Sequence, residues 1–309
     1  MRLLTSASRR ASLLTAVLSA LAIAGPALSQ QGARRFGFGP PMASDALAAQ
    51  PQTRGAKGDQ QRHYYFADAG QEMPYHLYVP QSYDPATPMP LVVALHGYSG
   101  NHDYFFAIVT DLPALIERHG FIFVAPMGYS VGGWYGAPLN IPGDLPRSPD
   151  ANGNPRPTPP SMLRPAAEQL RERTLSERDV LNVLKLVRGE YNVDPSRTFL
   201  MGHSMGGMGT YFLGQKYADE WAAIAPMSGT MPLDRVDYHL DRLENVPVFV
   251  SAGETETTTV QSMKEQVEQM HKMGMTAEYL EVPGATHMSM IKPAVPEIFE
   301  FFDNHRKTE

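Results

Sequence analysis

From residue 73 onward, short apolar runs alternate with longer amphipathic stretches, and this alternation is what most narrows the folds open to the chain. Residues 90–95, 121–126, 198–201, 221–226, 246–251 and 277–282 read as strands, most of them apolar at nearly every position. Residues 73–79 alternate and read as an edge strand. Between these runs, helices are predicted over 104–118, 176–191, 205–216, 260–273 and 296–305. Gly120 stops the first of these. Ser176 can cap the second, and Val180, Leu181, Val183, Leu184 and Val187 line one side of it. Strands without a polar face must be covered on both sides. The pattern therefore predicts an α/β fold, with a mostly parallel sheet and helices on both faces.

The chain before residue 62 reads differently. Arg2, Arg9 and Arg10 give a basic start, residues 11–24 are uncharged and mostly apolar, and Gly25-Pro26-Ala27-Leu28-Ser29 closes the run with a helix breaker and small residues. These are the three parts of a secretory signal, with the cut expected after Ser29. The apolar run is short for a membrane span of ~20 residues, so no stable membrane insertion is expected, and the protein is expected to be secreted or periplasmic. Residues 30–61 lack apolar periodicity and read as a flexible leader, which leaves 62–309 as a single folded domain.

Composition removes several kinds of chemistry. Among 309 residues there is no cysteine, which excludes disulfides, thiolate nucleophiles and cysteine-ligated metals. The net charge of −6 argues against a nucleic-acid partner. With 43% hydrophobic and 19% charged residues, a sizeable core can form.

Gly202-His203-Ser204-Met205-Gly206 fits G-x-S-x-G. A strand leads straight into it and a helix straight out. That context holds a serine hydroxyl clear of the sheet on a strained turn, with glycines where side chains two residues either side would collide. Ser204 is the expected nucleophile. Such a nucleophile needs two backbone donors for the negative charge that develops on the attacked carbonyl. The N–H of Met205 should be one, and Tyr98, in the turn His96-Gly97-Tyr98 after the 90–95 strand, should supply the other.

In a fold of this kind the acid and then the histidine follow the serine. Four histidines follow Ser204. His239 precedes the 246–251 strand, so no acid-bearing loop separates it from Ser204. His271 falls within a predicted helix and His305 ends one. His287 lies in a loop just after a strand and is the expected general base. The acid belongs in the loop after residues 246–251, where Glu254 and Glu256 both stand.

Leu95-His-Gly-Tyr-Ser-Gly100, Tyr191-Asn-Val-Asp-Pro-Ser-Arg197, Gly202-His-Ser-Met-Gly-Gly207, Ala222-Ala-Ile-Ala-Pro-Met-Ser-Gly229 and Gly284-Ala-Thr-His287 stand in one order. Together they resemble the α/β-hydrolase esterases related to secreted polyhydroxybutyrate depolymerases and to feruloyl and acetylxylan esterases. The resemblance implies an α/β-hydrolase fold and a serine carboxylesterase that forms an acyl-enzyme and needs no cofactor. Where that family commonly reads H-G-x-x-D, this chain reads Ala252-Gly253-Glu254-Thr255-Glu256, which puts Glu256 on the acid position.

Residues 128–165 form a Pro/Gly-rich insertion, with nine prolines between Pro138 and Pro165. It is too long for an ordinary connection and reads as a loop over the site. Asp150-Ala-Asn152-Gly-Asn154 is a fragment of a calcium loop without its closing glutamate, so no metal is expected. Trp134, Tyr135 and His203 are candidate substrate contacts, and aromatic rims suit an aromatic acyl group, a sugar ring or a polyester chain. Two other readings use the same residues. A prolyl-oligopeptidase-type serine peptidase shares the fold and residue order, but about 250 residues leave no room for its usual gating domain. A non-catalytic hydrolase-like binding protein would have lost a member of the triad.

Overall fold

The computed structural model describes residues 52–138, 164–231 and 238–307. Eight strands form one sheet: β1 (Gly58–Phe66), β2 (Gln71–Val79), β3 (Met89–Leu95), β4 (Ile122–Pro126), β5 (Val193–His203), β6 (Ala223–Met227), β7 (Val248–Gly253) and β8 (Ala277–Val282). Their order is β1-β2-β4-β3-β5-β6-β7-β8. The first two pairings are antiparallel, and all pairings from β4 across to β8 are parallel. Among the described residues six α-helices flank them: α1 (Tyr104–Ile108), α2 (Leu112–His119), α3 (Ala166–Glu190), α4 (Met205–Lys216), α5 (Thr257–Lys272) and α6 (Ile291–Asp303).

The strands are apolar on both faces because both faces are covered. In β3, Leu91, Val93 and Leu95 enter one apolar cluster, with residues of α3, α4 and α5. Val92 and Ala94 enter the other, with residues of α1, α2 and α6. β5 divides the same way: Leu200 faces the first cluster, while Phe199 and Met201 face the second, where Phe199 stacks on Phe302 at 4.5 Å. A side-chain period of two distributes one continuous apolar run between two cores.

The structure departs from the sequence reading in four places. The folded body begins before residue 62. Residues 58–61 belong to β1, which makes β2 an inner strand and not the edge. The segment before β1 is fastened to the end of α3: the Gly55 N–H donates to Glu190 Oε1 at 2.6 Å, and the Tyr191 hydroxyl donates to the Ala56 carbonyl at 2.8 Å. Arg62 pairs with Glu190 at 2.7 Å, and both side chains are largely buried. A strand that buries arginine and histidine carries no apolar alternation to read.

The helix predicted over 104–118 is two helices. Pro113 has no N–H to give to the carbonyl four residues back, so a new helix starts after Asp111. Gly120 closes it with φ 67°, the left-handed conformation that glycine adopts freely. Helix α3 starts ten residues earlier than Ser176, so Ser176 is not its cap. Its buried face includes Gln169, Ser176, Glu177 and Asp179, and these polar residues hide its period. Helix α6 starts at Ile291 and carries Pro296 in its interior instead of at its first turn.

Residues 1–51 and 139–163 lie outside the described residues, and with them the expected signal, most of the leader and the calcium-like fragment. Among the described residues no helix is long and apolar enough to cross a membrane.

Candidate active site

The site is assembled at the carboxyl ends of parallel strands, where loops from neighbouring strands converge. Ser204 joins the last residue of β5 to the first of α4, with φ 58° and ψ −114°. A non-glycine residue held there is strained by roughly 1–3 kcal/mol. Its surroundings impose that turn. The Ser204 N–H donates to the Met227 carbonyl at 2.8 Å, which draws the turn onto the end of β6. A Cβ on Gly202 would stand 2.3 Å from the Gly206 carbonyl oxygen. A Cβ on Gly206 would stand 2.1 Å from the carbonyl oxygen of Leu95, the last residue of β3. The second contact brings the turn after β3 against the start of α4. Met205 occupies the first position of α4, where an N–H has no acceptor within the helix.

Two further loops bring a carboxylate to an imidazole. Glu256, after β7, places Oε2 2.5 Å from Nδ1 of His287, after β8. Its other oxygen accepts from the Ser228 hydroxyl at 2.7 Å and from the Gly253 N–H at 3.0 Å. The Glu256 side chain is 10% exposed and that of His287 is 44% exposed. Burial works against the Glu256 charge, but the bonds from His287, Ser228 and Gly253 outweigh it and hold the carboxyl below the ordinary glutamate range. Glu254 is used elsewhere, accepting from the Gly284 N–H at 2.6 Å. Thr255 also grips the histidine loop, its N–H and hydroxyl reaching the Ala285 carbonyl at 3.1 and 2.9 Å.

Ser228 was missed by sequence reasoning. It follows β6 with φ 45° and donates its N–H to the Ser251 carbonyl at 2.7 Å. The only signal available was its place in Ala225-Pro226-Met227-Ser228-Gly229, a motif that carries no chemistry of its own.

His203 and Tyr135, two of the candidate substrate contacts, lie in the interior. Both have no exposed surface. The His203 imidazole is held between the Tyr104 hydroxyl, 2.8 Å from Nδ1, and the His287 carbonyl, 2.7 Å from Nε2. Tyr135 donates its hydroxyl to the His96 carbonyl at 3.1 Å and its N–H to Ser176 Oγ at 3.0 Å. Its ring fills the space that Gly128 and Gly209 leave open.

Trp134 and Tyr98 do meet, with ring centroids 6.3 Å apart, and Tyr98 is 38% exposed. The segment that carries Trp134 is hooked to the polar face of α3. Asp179 accepts from the Tyr64 hydroxyl at 2.6 Å and the Tyr129 N–H at 3.1 Å, and Ser130 Oγ donates to Glu172 at 2.6 Å. Burial pushes the Asp179 carboxyl up to about 6, against these bonds. The Ser99 N–H donates to the Val131 carbonyl at 2.8 Å, which ties the turn after β3 to the same segment. Among the described residues no group of three or more histidine, aspartate or glutamate side chains is placed to hold a metal ion.

Comparison with known proteins points to one family. The model of the Esterase family matches residues 67–300. A bifunctional acetylxylan esterase/xylanase of Neocallimastix patriciarum is 27% identical over 53% of this chain and 19% of its own length. Feruloyl esterase B of Neurospora crassa is 28% identical over 50% of this chain and 43% of its own. The matched stretch thus spans less than half the length of either curated relative. Among solved structures, the feruloyl esterase module from Clostridium thermocellum, complexed with sinapinate, superposes with a TM-score of 0.58 at 17% identity, covering 87% of this chain and 95% of that one. At that identity the likeness is one of fold, the α/β-hydrolase arrangement of sheet and helices.

Proposed function

The chain belongs to the Esterase family, and from that premise we propose that it is a carboxylic ester hydrolase with Ser204, His287 and Glu256 as its catalytic triad. The observation that carries the proposal is the Glu256–His287 contact of 2.5 Å, held beside the strained Ser204 turn. Ser204 Oγ attacks the ester carbonyl as its proton passes to Nε2 of His287. Glu256 orients the imidazole and stabilises its cation without taking the proton. The tetrahedral oxyanion is met by the Met205 and Tyr98 N–H groups. Collapse expels the alcohol, which leaves with the proton from His287, and the acyl group stays on Ser204. Water, activated by the same imidazole, then releases the acid and restores the serine. Each step uses groups of this chain, substrate and water alone, so no cofactor takes part.

The substrate class this reading favours is a feruloyl or acetyl ester of cell-wall type, with polyester chains as the neighbouring class. The names of the two curated relatives support it, as does the Tyr98–Trp134 aromatic pair on loops beside the site. The amino-terminal basic and apolar runs support action outside the cytoplasm.

Hydrolysis of p-nitrophenyl acetate by purified protein tests the chemistry. Ser204→Ala should lower kcat by about 10⁴-fold or more. Turnover by that variant near the wild-type rate would remove Ser204 from the mechanism. Rates on methyl ferulate, acetylated xylan and polyhydroxybutyrate then rank the substrate classes, and a preference for the polymer would displace the cell-wall reading.

A further inference from the structure

We propose that His203 is a positioning residue, which sets the distance between nucleophile and base by holding the main chain of His287. The proposal rests on the triad reading above and deepens it.

His203 ends β5 on the same face as Phe199 and Met201, the face of the apolar cluster under α1 and α6. An imidazole there must have both nitrogens satisfied, because a buried polar atom without a partner is destabilising. Both are satisfied, and in one way only. The His287 carbonyl can only accept, so Nε2 carries the hydrogen and donates across 2.7 Å. Nδ1 is then an acceptor, and the Tyr104 hydroxyl donates to it across 2.8 Å. The tautomer is fixed by these two neighbours. Burial, assisted by the adjacent His287, lowers the His203 pKa to about 3. The groups that face it are Tyr104, His287 and Glu256, and it stays neutral wherever an esterase would work. With both nitrogens engaged by Tyr104 and the His287 carbonyl, the ring has none free to serve as a base.

What remains is geometry. The rings of His203 and His287 lie 4.5 Å apart. Thr255 and Glu254 hold the histidine loop at Gly284 and Ala285. His203 holds it at the base itself. His203 is also bonded covalently to Ser204, so one peptide bond and one hydrogen bond connect nucleophile to base. The Tyr104 hydroxyl beneath the pair would lie 3.0 Å from a Cβ on Gly97, so the same support reaches the turn that bears Tyr98. Displacing a catalytic group by about 1 Å can cost about 100-fold in rate.

The test compares His203→Gln with His203→Asn. The glutamine amide nitrogen falls near the place of Nε2 and can still donate to the His287 carbonyl, whereas asparagine is too short to reach it. With p-nitrophenyl acetate, His203→Asn should lose about 100-fold in kcat with KM changed by less than about twofold, and His203→Gln should recover to within about fivefold of wild type. Both variants are to be assayed below their melting transitions, measured by circular dichroism. The low-field proton resonance of the His287–Glu256 contact should stay sharp in the glutamine variant and broaden in the asparagine variant. Equal kcat in the two variants, or an unchanged low-field proton in both, would overturn the proposal and leave His203 a merely structural residue. Ser204→Ala, run alongside, separates the two levels. If it keeps its activity, the triad reading itself fails. If it is inactive while the two His203 variants behave alike, the positioning proposal alone fails.

Discussion

Two histidine–carboxylate contacts of equal length occupy different regions of this molecule. In the loops after β7 and β8, His287 Nδ1 lies 2.5 Å from Glu256. Between β1, β2 and the start of α1, His76 Nε2 lies 2.5 Å from Asp59. The second ring has nothing left to offer a substrate. Its Nδ1 lies 2.8 Å from Asp103, its face stacks on Phe106 at 3.6 Å, and its side chain is only 5% exposed. His287 spends one nitrogen on its carboxylate and is 44% exposed. An imidazole paired with a carboxylate is thus not a catalytic signature in itself. A second nitrogen with no partner among the described residues, and access to solvent, separate the proposed proton carrier His287 from the structural clamp His76.

The largest effects should fall on opposite observables. His287→Ala is expected to lower kcat/KM by about 10⁴-fold with little change in melting temperature. His76→Ala is expected to leave kcat/KM within about threefold and to lower unfolding free energy by about 1–2 kcal/mol, because two partly exposed carboxylates lose their shared partner and Phe106 loses its stacked ring. Urea denaturation and ester hydrolysis on the same samples check both. A large rate loss in His76→Ala at full folding would erase the distinction.

The next effect sharpens the catalytic half. Glu256→Gln should cost about 10³–10⁴-fold in kcat, since the amide cannot orient the imidazole or stabilise its cation as a carboxylate does. Glu254→Gln, which alters only a bond to the Gly284 N–H, should stay within about threefold in the same assay. Comparable losses in the two would place the acid elsewhere.

The smallest effect belongs to the structural half and depends on pH. Burial disfavours the charged His76, but hydrogen bonds to Asp103 and Asp59 outweigh it and raise its pKa above the usual 6.5. A histidine with a raised folded pKa stabilises the protein fully below the unfolded value, and loses that contribution as pH rises through the folded one. The stability gap between wild type and Asp59→Asn should therefore be widest near pH 6, at about 1 kcal/mol, and shrink toward pH 9. Urea titrations at several pH values measure it, and a gap that stayed constant would mean that His76 does not titrate between those values.

Much of this architecture can be read from local pattern. Helix Met205–Lys216 and strand Ala277–Val282 have the bounds that periodicity predicts. Ser204 is legible because strand, glycines and helix crowd around it in sequence, and His287 because the other histidines that follow Ser204 fall in or before predicted elements. Choosing between Glu254 and Glu256 required a family frame, since the two side chains differ only in where a loop points them. Contacts made across long separations leave no local trace. His203 and Tyr104 are 99 residues apart, and nothing in either neighbourhood announces their bond. Strand β1 escapes for a related reason: it buries Arg62 and His63 against partners elsewhere in the chain, so its inward face looks like an outward one, and residues 166–175 of α3 bury just Gln169 and Leu175, which leaves no apolar stripe to read.

The left-handed backbone at Ser204 has one more consequence. Its strain of roughly 1–3 kcal/mol is present in every folded molecule, occupied or empty. Glycine could adopt the same dihedral angles with far less strain. A laboratory lineage chosen for heat tolerance alone would be drawn toward glycine at that position and, on the proposed mechanism, would arrive at a hardier, silent protein. Durability and turnover pull against each other at a single residue, and only selection for product keeps the hydroxyl in place.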